Sequence, residues 1–351
     1  MKFSFLFLTA SVVSASVCDE NQLKDVPTLC KMLDANESDP ATLADELASS
    51  ELSIIMDEFH LAEEDKKAVD GSSLPIVVAH GMGDSCFNRG MESITKSAGE
   101  KVGAYSVCIP TGDSRISDTI NGFLLNMDAS VDVFAEAVRA DPALANGFNA
   151  FGLSQGNNLI RGYIQKYNDP PVNTFMSING INAGVGAFPS CSPQAKHIGG
   201  ICQLLTEVLG DFAYNTFVQK HLFQANYFRD PSKTDGDRYK KYSQLAQWEN
   251  EGDDVDPTRN ENFAKTNKFI WVLGTEDTVV WPREGEQWGA MDPADPFNTL
   301  LAWNETKWYT EDTFGLRTAD EAGKHNFESF EGDHLQFTND ELMGWLEKYF
   351  M

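Results

Sequence analysis

Hydrophobic positions along this chain follow two alternating rhythms. "LPIVVAHG", from Leu74, is apolar throughout, as expected of a strand covered on both faces. A helical spacing follows over 90–101, and "GAYSVCIP" predicts a second strand. In "SVDVFAEAVRADPAL", Val131, Phe134, Ala135 and Val138 share one helical face. "GFNAFGLS" predicts a third strand, "QGNNLIRGYIQKY" a helix and "VNTFMSING" a fourth strand. After an insertion, "KFIWVLG" and "HNFESFEGD" predict further strands. Thr338–Phe350 closes the chain as a helix, with Thr338 and Glu341 at the spacing of a capping box. Strands alternating with helices predict an α/β fold, a mostly parallel central sheet covered by helices on both faces. In such sheets, sites lie beyond the carboxyl ends of the strands.

Before Leu74 the pattern changes. Residues 17–72 are acidic and helix-prone, with Leu43, Leu47, Leu52, Ile55 and Phe59 at helical spacing. They predict two or three short helices, a surface extension of the main domain or a removable prosegment. The first 16 residues, MKFSFLFLTASVVSAS, join one lysine to an apolar run from Phe3 to Val13 and small residues at Ser14 and Ser16. That is the pattern of a secretory signal peptide, too short to span a bilayer. The predicted organisation is 1–16 signal peptide, 17–72 acidic helical extension and 73–351 main domain, with an insertion at about 183–265.

A 42% hydrophobic and 11% aromatic content is that of a globular chain rather than a disordered one. The formal net charge of −26 disfavours nucleic acid and anionic membrane surfaces as partners. No later apolar run is long enough to cross a membrane, so no stable membrane insertion is expected. Oligomeric state is not legible. The six cysteines fit no zinc spacing, and neither a metal nor a cofactor is expected. Behind an export signal they predict disulfides. Proximity favours Cys18–Cys30 and Cys191–Cys202, leaving Cys86 to pair with Cys108. Asn36 and Asn304 head N-glycosylation sequons, and the expected location is the secretory pathway, in a lysosome, a vacuole or outside the cell.

The chemistry concentrates at Gly152-Leu153-Ser154-Gln155-Gly156, where a strand turns into a helix. Such an elbow exposes the serine side chain, and the glycines keep the crowded turn free of Cβ atoms. The Gln155 N–H, at the first turn of the helix, can face an oxyanion. Serine needs a base. Of the six histidines, His60 lies in the extension, His80 beside "GMGD", His197 and His221 in the insertion, and His325 at the wrong end of its strand. His334, in the loop after the last strand, stands where a hydrolase of Ser…Asp…His order carries its base. "FIWVLGTEDTVVWP" offers Glu276 and Asp277 as the carboxylate, with Asp277 preferred. Asp84 and Asp333 are out of positional order and are read as turn or helix caps. "HGMGDS" supplies the second oxyanion donor, the Met82 N–H. A phosphate cradle is disfavoured there, because no P-loop lysine follows.

Together, "HGMGDSC", "NAFGLSQGNNLIRGYIQKY", "SINGINAGVGAFPSC", "VQKHLFQANYFRDP", "EDTVVWP" and "EGDHLQF" resemble the palmitoyl-protein thioesterases, over roughly four-fifths of the chain. The resemblance implies an α/β-hydrolase fold and removal of long fatty acyl groups from cysteines of lipidated proteins. It implies a triad of Ser154, Asp277 and His334, oxyanion donors at Met82 and Gln155, and a largely helical insertion that forms the acyl groove. It also supports Cys191–Cys202. The chain departs from that pattern at Asn182, where the family often has histidine, and in the acidic segment before Leu74. "ICQLLTEVLGDFAY" and "HLFQANYF" are candidate groove linings or ordinary packing faces. The rival expectations are a secreted lipase or carboxylesterase on the same fold, or a non-catalytic lipid-binding relative.

Overall fold

The computed structural model describes residues 27–48, 73–187, 205, 212–252 and 254–351. The signal segment, Leu52, Ile55, Phe59, Cys18, Cys191 and Cys202 lie outside the described residues. In chain order the main elements are α1 (Pro27–Ser38), α2 (Pro40–Ala48), β1 (Ile76–Ala79), α3 (Arg89–Val102), β2 (Ser106–Cys108), α4 (Arg115–Leu124), α5 (Met127–Ala140), β3 (Phe148–Leu153), α6 (Gly156–Lys166), β4 (Val172–Ile178), α7 (Pro257–Lys265), β5 (Lys268–Gly274), β6 (Ala290–Met291), β7 (Leu300–Leu301), β8 (His325–Phe330) and α8 (Asn339–Phe350). Short helices at Thr216–His221, Phe223–Asn226, Asp237–Tyr242 and Gln244–Trp248 occupy the insertion.

Six strands form one sheet in the order β2-β1-β3-β4-β5-β8, every neighbouring pair parallel. Alternation along each strand feeds two cores. Val77 and Ala79 face one layer with Phe148, Ala150, Phe269 and Trp271, packed under α4 to α7. Ile76 and Val78 face the other with Phe151, Leu153, Ile270 and Val272, under α3 and α8. That double burial explains why β1 is apolar at every position. This is the parallel α/β sheet that the strand–helix alternation predicts, and the α/β-hydrolase fold that the resemblance implies.

The acidic extension holds two helices among the described residues. Leu29, Met32, Leu43, Ala44 and Leu47 join the same core as Ile120 and Phe123 of α4, and Arg115 pairs with Asp45 at 2.9 Å. α4 itself went unpredicted, although Ile116, Ile120, Phe123 and Leu124 recur at helical spacing behind a Ser114–Ser117 capping box. The capping box at Thr338 and Glu341 is formed as expected. Cys86 and Cys108 are disulfide-bonded, with Cα atoms 5.5 Å apart. Asn36 and Asn304 are exposed.

Candidate active site

β3 ends at Leu153, and Ser154 turns the chain with φ 52° before α6 begins at Gly156. A left-handed conformation is unfavourable for a residue with a Cβ and is held here by its surroundings. The Ser154 N–H donates to Ile178 O at 3.0 Å. Both glycines of the elbow answer to crowding. A Cβ on Gly156 would stand 2.4 Å from the carbonyl oxygens of Ala79 and His80, and one on Gly152 would stand 2.5 Å from Asn157 Oδ1. The helix can therefore start directly against the end of β1.

The loops after β5 and β8 bring two side chains to this serine. Ser154 Oγ lies 2.8 Å from His334 Nε2, and His334 Nδ1 lies 2.5 Å from Asp277 Oδ2. All three residues are buried. Asp277 Oδ1 accepts the N–H groups of Val279 at 2.7 Å and Val280 at 2.9 Å. Burial by itself would raise the Asp277 pKa. Hydrogen bonds and the facing imidazole outweigh that and hold it at about 2. Glu276, the other carboxylate that the sequence offered, points into solvent. His325 lies at the amino end of β8, where it accepts from Trp271 Nε1 at 3.0 Å.

Met82 follows β1 and is buried beside the elbow loop, with Gly83 at φ 77°. Neither the Met82 nor the Gln155 backbone N–H has an acceptor among the described residues. The Gln155 side chain is fixed on every side. Its Nε2 donates to Gly122 O at 2.7 Å, and its Oε1 accepts from Gln224 Nε2 at 2.8 Å and Tyr227 Oη at 3.1 Å. Those two donors come from the "HLFQANYF" block, whose Leu222, Phe223, Ala225 and Phe228 are buried in packed clusters.

Sequence reading missed three buried polar residues around this centre. Asp118, in the first turn of α4, braces the loop after β1. It accepts Ser85 Oγ at 2.9 Å, Cys86 N at 2.9 Å and Thr111 N at 2.7 Å, and it faces His80 Nε2 at 3.2 Å. Burial disfavours the His80 imidazolium, but the Asp118 carboxylate, helped by Asp84, raises its pKa to about 9. Asn179 follows β4 at φ 45° and reaches both Asp277 Oδ2, at 3.1 Å, and Glu286 Oε2, at 3.0 Å. Its Oδ1 accepts the Leu335 N–H at 3.1 Å, next to His334. Glu286 is wholly buried. An asparagine directly after a strand is a readable signal for a left-handed turn, whereas nothing in "PREGEQWG" marks Glu286 as interior.

Two clusters carry metal-binding residue types among the described residues, His80–Cys86–Asp118 and Asp277–Glu286–His334. In the first the Cys86 sulfur is bound to Cys108. In the second His334 and Asp277 are hydrogen-bonded to each other. Neither set presents a full complement of unengaged ligand atoms.

The sequence profile of one family, palmitoyl protein thioesterase, matches residues 75–334. The chain belongs to that family. It is 35% identical to palmitoyl-protein thioesterase 1 of Caenorhabditis elegans, over 79% of this chain and 92% of the relative. It is 29% identical to palmitoyl-protein thioesterase 3 of Dictyostelium discoideum, over 73% of this chain and 83% of the relative. A Drosophila melanogaster homologue named a lysosomal thioesterase is 28% identical, over 51% of this chain and 58% of its own length. The family is one of hydrolases, so this member is an enzyme. No helix among the described residues is long and apolar enough to cross a membrane.

Proposed function

We propose that this enzyme hydrolyses long-chain fatty acyl thioesters from S-acylated cysteines of proteins, with Ser154 as nucleophile, His334 as base and Asp277 as the carboxylate that orients it. The observation that carries the reading is the unbroken relay from Ser154 Oγ through His334 to Asp277, at 2.8 and 2.5 Å, in a chain of this family. His334 Nε2 takes the serine proton as Oγ bonds to the thioester carbonyl carbon. The Met82 and Gln155 N–H groups receive the oxyanion. Collapse breaks the carbon–sulfur bond, and His334 returns the proton to the departing sulfur. Water, deprotonated by the same histidine, then breaks the acyl-serine bond and releases fatty acid. A thiol of pKa about 8.5 leaves readily, so little is asked of the leaving-group acid.

The acyl chain needs an apolar groove, worth about 0.8 kcal/mol per buried CH₂, and the insertion at about 183–265 is the element proposed to form it. The proposed organisation keeps a signal peptide at 1–16, the extension at 17–72 and the hydrolase domain at 73–351. Cys18–Cys30 and Cys191–Cys202 are proposed as further disulfides. Asn36 and Asn304 are proposed as glycan acceptors, and the proposed destination is a lysosome, a vacuole or the exterior.

The deciding experiment compares an S-palmitoylated peptide with its O-palmitoyl twin, using the purified enzyme and its Ser154→Ala variant. Serine-dependent preference for the thioester is expected. Preference for the oxygen ester would convert the reading to a lipase, and wild-type turnover by Ser154→Ala would overturn the mechanism.

A further inference from the structure

Behind the Asp277 carboxylate lies a second one that the mechanism above does not use. The ligand atoms of Asp277, Glu286 and His334 all lie within 4.8 Å of one another. Glu286 Oε2 accepts Asn179 Nδ2 at 3.0 Å and the Gly274 N–H at 3.2 Å. Glu286 Oε1 is buried and meets no N–H or O–H donor among the described residues. The titratable groups facing it are Asp277 and His334, both within that 4.8 Å.

Two carboxylates this close in a dry site cannot both be ionised. The donors decide which one keeps the charge. Asp277 faces four of them: the N–H groups of Val279 and Val280, Asn179 Nδ2 and His334 Nδ1. Glu286 faces two, both on Oε2. The negative charge therefore belongs on Asp277 and the proton on Glu286 Oε1. An oxygen without a donor ceases to be an anomaly once it is itself the donor.

We propose that Glu286 is a positioning residue of this enzyme: as a neutral carboxylic acid it donates a hydrogen bond to Asp277 and locks the carboxylate that orients His334. Burial, reinforced by the neighbouring Asp277 charge, pushes the Glu286 carboxyl well above the usual range, in the same direction. The backbone is held for this purpose as well. Asn182 donates from Nδ2 to the Glu286 carbonyl at 2.7 Å, and its own carbonyl accepts Arg161 Nη1 at 2.6 Å. Asn179 then spans the two carboxyls and the His334 loop.

The inference rests on the triad reading, so Ser154→Ala is assayed beside the Glu286 variants. Turnover of the S-palmitoylated peptide is followed against pH for Glu286→Gln, Glu286→Ala and Glu286→Met. Glutamine keeps a donor toward Asp277 and an acceptor for Asn179 and Gly274, so its kcat should stay within about threefold of wild type, with the acid limb of kcat/KM unmoved. Alanine and methionine remove the donor. Their kcat should fall roughly tenfold to a hundredfold at nearly constant KM, and the acid limb should move to higher pH as Asp277 becomes more basic. A glutamine variant as impaired as alanine, or alanine and methionine variants with wild-type kcat and an unmoved limb, would overturn the proposal. Should alanine and methionine fail to accumulate, the glutamine result alone decides in the same way. Full activity in Ser154→Ala would instead remove the triad reading itself, whatever Glu286 does.

Discussion

Asp333 clasps Thr278 across the gap between the β8 and β5 loops. Its Oδ1 accepts the Thr278 N–H at 2.7 Å, its Oδ2 accepts the Thr278 hydroxyl at 2.8 Å, and Oδ1 also accepts the His334 N–H at 2.7 Å. One carboxylate thus ties the backbone of His334 to the residue after Asp277. Asp333→Ala should lower kcat roughly tenfold, because a small displacement of His334 is costly to a relay built on short contacts. Stability should fall by about 1–2 kcal/mol. Steady-state kinetics and urea denaturation check the two effects separately, and unchanged kcat would show that the clasp is dispensable.

Gly156→Ala should be among the most damaging single-methyl changes in the domain. The added Cβ meets backbone on β1 rather than a side chain that could rotate away. A loss of roughly 2–4 kcal/mol is expected, with Ser154 displaced at the same time. Thermal melting and fluorophosphonate labelling of the variant measure both. A variant that melts and labels like wild type would mean that β1 and α6 can separate freely.

The His80–Asp118 pair predicts how stability follows pH. His80 is raised to about 9, so its contribution is fully present below its unfolded value near 6.5 and is lost as pH rises through 9. Asp118 is lowered to about 2, so its contribution is present above about 4 and is lost as pH falls through 2. The two shifts describe one interaction and are counted once, at about 3 kcal/mol or less. The stability difference between wild type and His80→Gln should be flat from about pH 4 to 6.5 and shrink above it. Chemical denaturation of both proteins over pH 4–9 tests the sign.

The Cys86–Cys108 disulfide, with a sequence separation of 22, ties the end of the loop before α3 to the end of β2. Replacing both cysteines by alanine should cost about 3 kcal/mol and leave the thioester-to-oxygen-ester preference unchanged. A change in that preference would give the disulfide a role in shaping the site.

Where the chain repeats a period, its sequence already discloses the fold. The apolar run at Leu74 and the strand ahead of Ser154 are unmistakable because both sheet faces are covered. The meeting of Ser154, Asp277 and His334 is legible because each follows a strand, in Ser…Asp…His order. Asn179 and Glu286 were hidden for a different reason. Their burial comes from distant segments folding over polar loops, and no local pattern records it. The short helices of the insertion, such as Thr216–His221, are hardly more than a turn or two long, too short for a 3.6-residue period to be counted.

β8 is an edge strand, paired on one side with β5 and built from the last part of the chain. His334, in the loop that follows it, is 180 residues from Ser154, which it meets at 2.8 Å. During synthesis the elbow and Ser154 emerge long before His334 does. A chain in which β8 has not yet docked therefore holds the Ser154 hydroxyl without its histidine partner.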